Sequence, residues 1–419
     1  MEQGPGGVPR IAARQAAFAG GIELKPDASA QRDFLPRTVV VLGLVSLLND
    51  TASEMITPLL PVFLTVTLGG GAFVVGLVEG VAEATSSLVK VVSGWLADRG
   101  WNAKRLVLGG YSLSNLARPL IGLAGGWATV LALRFVDRIG KGIRTAPRDA
   151  LIAASVGATQ RGRAFGFQRA LDHAGAMLGP LLAFVLLQAG LGMRPVFYWS
   201  LLPGVAVLAL LLFGLPRTSL EGTLPAPASR LQWRELDGRL RGLILAAAGL
   251  AFAAVPEVFL VLWATTHGLQ LAWVPLIWAA ASAAKFAVAG PAGMLSDRWG
   301  RLPVVLSGWA TRVLLLLALA VTGTHAALVW AVFVLYAASL SFTEGAERAL
   351  IGDFAPAGKK ATVYGLYHML SGLLALPGAV LFGALWQWFG EGVAFVTAAV
   401  VTAVMAAALL IRARRAVRG

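Results

Sequence analysis

Twelve apolar blocks, each near the length of a bilayer-crossing helix, constrain this chain more than any other feature. They fall near 38–66, 72–97, 104–125, 127–146, 163–190, 195–215, 240–266, 271–294, 303–323, 326–351, 361–388 and 393–411. A helix rises about 1.5 Å per residue, so about 20 apolar residues cross a hydrocarbon core of about 30 Å. Turn residues such as Gly69-Gly70-Gly71, Gly125-Gly126 and Gly390-Glu391-Gly392 punctuate the joints. A soluble globule is a poor alternative: 57% of residues are apolar and 13% charged, which leaves too little polar surface to cover it. The pattern predicts an all-α membrane protein of twelve transmembrane helices.

The absence of cysteine excludes disulfides, thiolate metal sites and thiol catalysis, and four scattered histidines make a poor metal centre. No cofactor motif is present. The net charge of +14 is first explained by topology. With the N-terminus inside, the outward loops carry one basic residue, Arg194, of the 35 Lys and Arg. Both termini are therefore expected on the cytoplasmic side of the plasma membrane, and no nucleic-acid partner is expected. Residues 1–36 lack the apolar region of a signal peptide and read as a cytoplasmic tail. Residues 216–239, with Pro216, Pro225, Pro227 and four arginines, read as a cytoplasmic linker. It divides an N-terminal six-helix bundle, 37–215, from a C-terminal one, 240–411, followed by a tail at 412–419.

The two halves overlay at an offset of 199 residues. Gly94, Leu96, Asp98 and Arg99 meet Gly293, Leu295, Asp297 and Arg298, Ala150-Leu151-Ile152 meets Ala349-Leu350-Ile351, and Gly166 meets Gly365. A duplicated six-helix unit implies two similar bundles that rock about a central cavity.

The loops at this repeat carry a family resemblance. Gly94-Trp-Leu-Ala-Asp98-Arg99-Gly100 and Gly293-Met-Leu-Ser-Asp297-Arg298-Trp-Gly300-Arg301 resemble the G-x-L-a-D-r-x-G-r-k signature of the major facilitator superfamily. The first copy departs from it after Gly100. The resemblance implies an alternating-access carrier that works as a monomer and moves a small molecule across the bilayer. In span 4, Arg134 is similar to the arginine of an R-x-x-x-G pattern in proton-coupled exporters, although Arg138 occupies the glycine position. In span 5, Gly175-x-x-x-Gly179-Pro180 resembles the first part of a G-x-x-x-G-P-x-x-G pattern of exporters, with Ala183 in place of the last glycine. These two resemblances tilt the reading toward efflux.

Ionisable residues at bilayer depth are costly unless paired or hydrated, so they mark a water-lined cavity. Span 1 carries Asn49, Asp50 and Glu54, the acids one turn apart, before Pro58 and Pro61. Span 2 carries Glu79 and Glu83, span 3 Arg118, and span 5 Arg169 and Asp172. In span 4, Arg134, Arg138, Lys141 and Arg148 share a broad face, flanked by Arg144. The second half is sparser, with Glu257, Lys285, Glu344, Glu347, Tyr367 and His368. The candidates for proton coupling are Asp50, Glu54, Glu79, Glu83 and Asp172. Asp50 and Glu54 lead, because two acids a turn apart disfavour double ionisation; the alternative is that they pair with Arg118, Arg134 or Arg138. The substrate-cavity candidates are Asn49, Arg118, Arg134, Arg138, Arg169, Glu257, Tyr367 and His368. The gate or latch candidates are Gly94, Asp98, Arg99, Arg148, Gly293, Asp297, Arg298, Glu344 and Glu347. Arg148 and Glu347 correspond in the repeat, so they either close a gate between the halves or pair within their own bundles. Trp263, Trp273, Trp386 and Trp388 fit an interfacial belt, and Trp278 lies deeper.

No nucleophile, base and orienting group converge, so no enzyme is expected. The first reading is proton-coupled efflux of a small organic molecule. A second is an organic-anion or chelator carrier using the basic span 4. A third, of another class, is a non-transporting membrane sensor or scaffold.

Overall fold

In hydrocarbon a backbone N–H or C=O finds no water, and a helix satisfies both within its own segment. The apolar blocks accordingly become helices. The computed structural model describes residues 35–98, 101–157, 160–215, 238–354 and 360–418. Most of the expected N-terminal tail and linker, the Asp98 side chain and Arg99 lie outside the described residues.

The first half comprises α1 (Arg37–Glu54, resuming at Leu60–Val62 and a π-turn Phe63–Thr67), α2 (Ala72–Asp98), α3 (Ala103–Leu120), α4 (Trp127–Ala154), α5 (Arg161–Gln188) and α6 (Met193–Trp199 and Leu201–Ala209). The second half comprises α7 (Gly238–Ala253 and Glu257–Thr266), α8 (Val274–Trp299), α9 (Arg301–Val321), α10 (Ala326–Phe354), α11 (Lys360–Phe389) and α12 (Glu391–Arg418). Among the described residues, nine of these are long and apolar enough to cross a membrane by length and composition. The other three are α1, which is interrupted, and α3 and α4, whose charged and polar side chains lower their hydropathy. The α4 helix runs to Ala154, past the expected end at 146, because its polar residues find partners on neighbouring helices.

Two breaks fall at prolines, which lack the N–H that a helix requires. One lies between Glu54 and Leu60, around Pro58, and the other at 254–256, before Glu257. At the second break the freed Val255 carbonyl accepts from Tyr336 Oη at 3.4 Å. Single glycines reverse the chain between α8 and α9 and between α11 and α12. Gly300 at φ 91° and Gly390 at φ 86° occupy the left-handed region that a side chain disfavours.

Close packing rests on glycine facing backbone. A Cβ on Gly110 of α3 would meet the Gly140 carbonyl of α4, and one on Gly175 or Gly179 of α5 would meet the Leu47 or Thr51 carbonyl of α1. Between the halves, α2 packs on α11 and α5 on α8. There a Cβ on Gly76 would meet the Ala379 carbonyl, and one on Gly383 the Ala72 carbonyl.

The face at which α1 begins and α12 ends is rich in Lys and Arg and is termed the basic face. At the opposite face both halves share one apolar core. It contains Ile56, Leu59 and Phe63 of α1, Phe197 of α6, Phe259 and Trp263 of α7, Ile277 of α8 and Phe382 of α11. Toward the basic face the second half has separate cores of its own, around Trp309 and around Ile351. Trp263 is therefore not in the expected belt. It is fully buried and donates Nε1–H to the Leu319 carbonyl at 3.1 Å, because the outer part of α7 faces protein rather than lipid. Trp386 packs on Phe259, Phe382 and Phe395, whereas Trp273 and Trp388 are exposed.

A charged cavity between the two halves

On the basic side of the shared apolar core lies a cavity of about 520 Å³ lined by both halves. Its acids are Asp50, Glu54, Glu79, Glu83, Glu257 and Glu344, and its cations Arg118, Arg138, Lys141, Arg144, Arg169 and Lys285, six of each sign. A side chamber of about 340 Å³ adds Lys90 and His368 and shares Glu79, Glu83 and Glu257.

The α1 acids are positioned by α5. Gly175 and Gly179 let α5 approach the α1 backbone so closely that their missing Cβ atoms would crowd Asp50 and Glu54. Asp50 accepts from Asn49 Nδ2 at 2.9 Å. Glu54 accepts from Trp278 Nε1 of α8 at 2.8 Å, a bond that crosses between the halves. Among the described residues neither acid forms an ion pair.

The arginines expected as their partners are held elsewhere. Asp137, 1% exposed, receives Arg118 Nε at 3.0 Å and Arg134 Nη1 at 3.5 Å, with Arg138 Nε at 3.9 Å. Arg134 also binds Glu79 at 2.8 Å. Arg118 Nη1 donates to the Asn49 carbonyl at 3.2 Å and Oδ1 at 3.0 Å, and to Asn115 Oδ1 at 3.3 Å. Burying one partner of such a set without the other is strongly destabilising, so Asp137 and Glu79 are the internal counter-ions of this arginine cluster.

Farther along α4, Arg144 Nη1 donates to Ser114 Oγ at 2.6 Å, and its guanidinium lies 4.5 Å from the Tyr111 ring centre. In the second half, Lys285 Nζ binds both Glu257 oxygens, at 3.0 and 2.9 Å. Sequence reasoning left Asp137, Lys141, Arg144 and Lys285 out of the expected site residues, and set Trp278 apart from the interfacial belt as a deeper residue able to line a cavity. Asp137 had a local signal, being three residues from Arg134 and next to Arg138. Lys285 had another, as a lone cation inside an apolar block.

Asp172 accepts from Gln168 Nε2 at 2.7 Å and pairs with Arg169 at 3.6 Å, off the cavity lining. Arg134 and Asn49 are buried behind the lining rather than on it. Glu83 lines the cavity and accepts from Ser87 Oγ at 3.4 Å. Tyr367 is buried, its hydroxyl 3.5 Å from Glu347 Oε2, and His368 lines the side chamber.

Arg148 and Glu347 do not meet. Arg148 pairs with Asp149 at 3.0 Å and donates to Ser46 Oγ at 3.2 Å, while Glu347 accepts from Trp309 Nε1 at 2.6 Å. Glu344 pairs with Arg348 of its own helix. With the halves joined at the opposite face, these basic-face charges are answered within their own bundles. In the second signature loop, Asp297 pairs with Arg301, whose Nε lies 3.6 Å from Asp353 Oδ2 of α10, and Arg298 is exposed. Gly94 and Gly293 lie in loose surroundings, a Cβ on Gly94 meeting only Ala146 at 3.8 Å and one on Gly293 nothing within 4 Å. Among the described residues no three His, Asp or Glu side chains converge to hold a metal ion.

A chain of this architecture, with a polar chamber midway between two duplicated bundles, matches known proteins. The family profile described as Major Facilitator Superfamily matches residues 42–376 and 276–419. An uncharacterised transporter of that type from Methanocaldococcus jannaschii is 31% identical over 367 residues, covering 84% of this chain and 89% of the relative. The multidrug resistance protein MdtH of Enterobacter is 29% identical over 134 residues, 32% of this chain and 33% of that protein. Among solved structures, a bacterial homologue of the human lysosomal transporter Spinster, inward-facing and occupied, superposes with a TM-score of 0.74 at 17% identity, over 90% of this chain and 96% of the other.

Proposed function

The chain belongs to the major facilitator superfamily, a family of secondary transporters and not of enzymes, and from that premise we propose that it couples proton entry to the export of a small organic molecule. The observation that carries this reading is the pair of cavity acids, Asp50 and Glu54, one turn apart and without a cationic partner while Arg118 and Arg134 are each held by a carboxylate. Acids committed to structural pairs are poor proton carriers, because giving up their charge strands a buried cation. Asp50 and Glu54 are under no such constraint. A proton, or the positive group of a substrate, relieves the repulsion between them.

The Lys and Arg bias supports a cytoplasmic basic face, with both termini on that side of the plasma membrane. The apolar core then seals the outer side, so the cavity represents the inward-facing state. Rocking of bundles 37–215 and 240–411 about their contacts, with 216–239 as the link, exposes Asp50 and Glu54 to either side in turn. The Trp278–Glu54 bond ties the halves together beneath the seal and connects the state of Glu54 to the closure. Glu79 is a weaker coupling candidate because Arg134 holds it, and Asp172 because it pairs with Arg169 off the lining. The signature loops act as basic-face latches, as Arg301 does between Asp297 and Asp353. Export is supported by the exporter-like Gly175-x-x-x-Gly179-Pro180 run and by the partial likeness to a multidrug resistance protein. One chain contains the whole cavity, which supports a functional monomer.

The test uses inside-out membrane vesicles energised by a proton gradient. Protein-dependent accumulation of small organic probes, abolished by a protonophore and by Asp50→Asn or Glu54→Gln in folded protein, is the expected result. Accumulation that persists after the gradient is collapsed contradicts proton coupling.

A further inference from the structure

The cavity separates charges that the protein answers from charges that it leaves open. Asp137 and Glu79 answer Arg118 and Arg134, and Glu257 answers Lys285. On the α4 wall three cations at a spacing of three residues are left with little. Arg138 reaches Asp137 only at 3.9 Å, and its Nε makes no hydrogen bond. Lys141 lines the cavity, and its ammonium has no hydrogen-bond or ion-pair partner among the described residues. Arg144 is 5% exposed and rests on Ser114 and the Tyr111 ring, with no carboxylate within ion-pair reach. The open negative charges are Asp50 and Glu54 on the α1 wall and, on α2, Glu83, which accepts only from Ser87 Oγ at 3.4 Å.

Open charge at bilayer depth is tolerated only where water or a ligand meets it. Open charges of both signs around one chamber select among ligands by sign. A purely cationic ligand suits α1 and leaves the α4 cations facing it. A purely anionic ligand does the reverse. A molecule bearing one group of each sign answers both walls and leaves the balance of the chamber unchanged.

We propose that the transported molecule is a zwitterion, its anionic group held by Lys141 and Arg144 and its cationic group by Asp50 and Glu54. The assignment rests on the proton-coupled carrier reading and names its substrate class. It also gives the exchange a simple form. The cationic group competes with the proton for the α1 acids, while the anionic group stays on α4. The guanidinium of Arg144, fixed by Ser114 and Tyr111, supplies direction, and the unpartnered ammonium of Lys141 supplies an adaptable point charge.

The experiment uses the full chain in energised inside-out vesicles with a panel in which each skeleton appears in three forms. These are an amino acid, its amide, which is only a cation, and its N-acetyl acid, which is only an anion. The zwitterion is expected to accumulate at least tenfold more than either relative. Lys141→Gln is expected to cut zwitterion accumulation at least tenfold, chiefly through KM, and to leave the amide at or above its wild-type level. Lys141→Arg is expected to restore the zwitterion, which a merely structural role for Lys141 would not require. Amides that accumulate as well as zwitterions, with no effect of Lys141→Gln, overturn the proposal. So does a preference for the N-acetyl acid. If no form moves in vesicles that remain sealed and energised, the transport reading itself falls and takes the substrate class with it; movement of the wrong form overturns the substrate class alone.

Discussion

Asp137→Asn tests whether the acids divide into structural and working groups. The Asp137 carboxylate is 1% exposed and receives Arg118 at 3.0 Å and Arg134 at 3.5 Å, with Arg138 at 3.9 Å. Three cations face two carboxylates, Asp137 and Glu79, for a net +1; the substitution leaves three against one, a net +2. Arg134 keeps Glu79, and Arg118 keeps its oxygens on Asn49 and Asn115. The cost is therefore that of removing one partner of a buried ion pair, about 3–5 kcal/mol. For a cooperative unit the size of one half, each kcal/mol moves the thermal midpoint roughly 2–4 °C, so a fall of roughly 6–20 °C is expected. The assay is size-exclusion chromatography of detergent-purified protein after graded heating. Asp50→Asn, run beside it, loses only an Asn49 contact and is expected within about 2 °C of wild type. An Asp137→Asn midpoint equal to wild type, or an Asp50→Asn midpoint equally low, would refute the division.

Gly175→Ala places a methyl against the Leu47 carbonyl and crowds Asp50, an overpacking of about 1–3 kcal/mol. Vesicle transport is expected to fall at least tenfold while folded protein is still recovered, and wild-type transport would count against the α5 seat for Asp50. Trp278→Phe removes the 2.8 Å bond to Glu54, worth roughly 1.5–3 kcal/mol for a charged acceptor, and favours opening at the opposite face. Because the chain has no native cysteine, Thr57→Cys is a clean reporter. Its labelling by an impermeant maleimide from the opposite face is expected to rise about tenfold in the Trp278→Phe background, and unchanged labelling speaks against a tie between the halves. Gly76→Val drives a side chain into the Ala379 backbone at the α2–α11 contact, so a thermal midpoint well below wild type is expected; an unaltered midpoint would show that this contact is not close in solution.

The fold was legible because hydropathy is a property of each helix by itself. The twelve blocks, the duplication at Gly94 and Gly293, and the prolines at the first break, Pro58 and Pro61, all appear in local sequence; the break before Glu257 falls inside a block read as continuous, 240–266. Asp50 and Glu54 were legible for the same reason, since i and i+4 share a helix face. Partner choice was not. Glu54 and Trp278 are 224 residues apart, and nothing local to either announces the bond. The arginines of spans 3 and 4 suited the α1 acids equally well on paper, yet Asp137 on their own wall holds them. The Arg148–Glu347 correspondence came from the repeat register, and a repeat register gives symmetry and not contact. In this conformation Asp149 and Trp309 hold the two residues apart. Trp263 illustrates the same limit, because its depth was legible and the direction of its indole was not.

Proton movement through purified protein tests the central claim most directly. The wild-type chain, Asp50→Asn, Glu54→Gln and Asp172→Asn would be reconstituted in liposomes enclosing a pH-sensitive dye, and a proton gradient imposed. Addition of zwitterionic probe is predicted to move protons in wild type and in Asp172→Asn, and in neither Asp50→Asn nor Glu54→Gln. Undiminished probe-dependent proton movement in the double variant lacking both α1 acids would contradict the account.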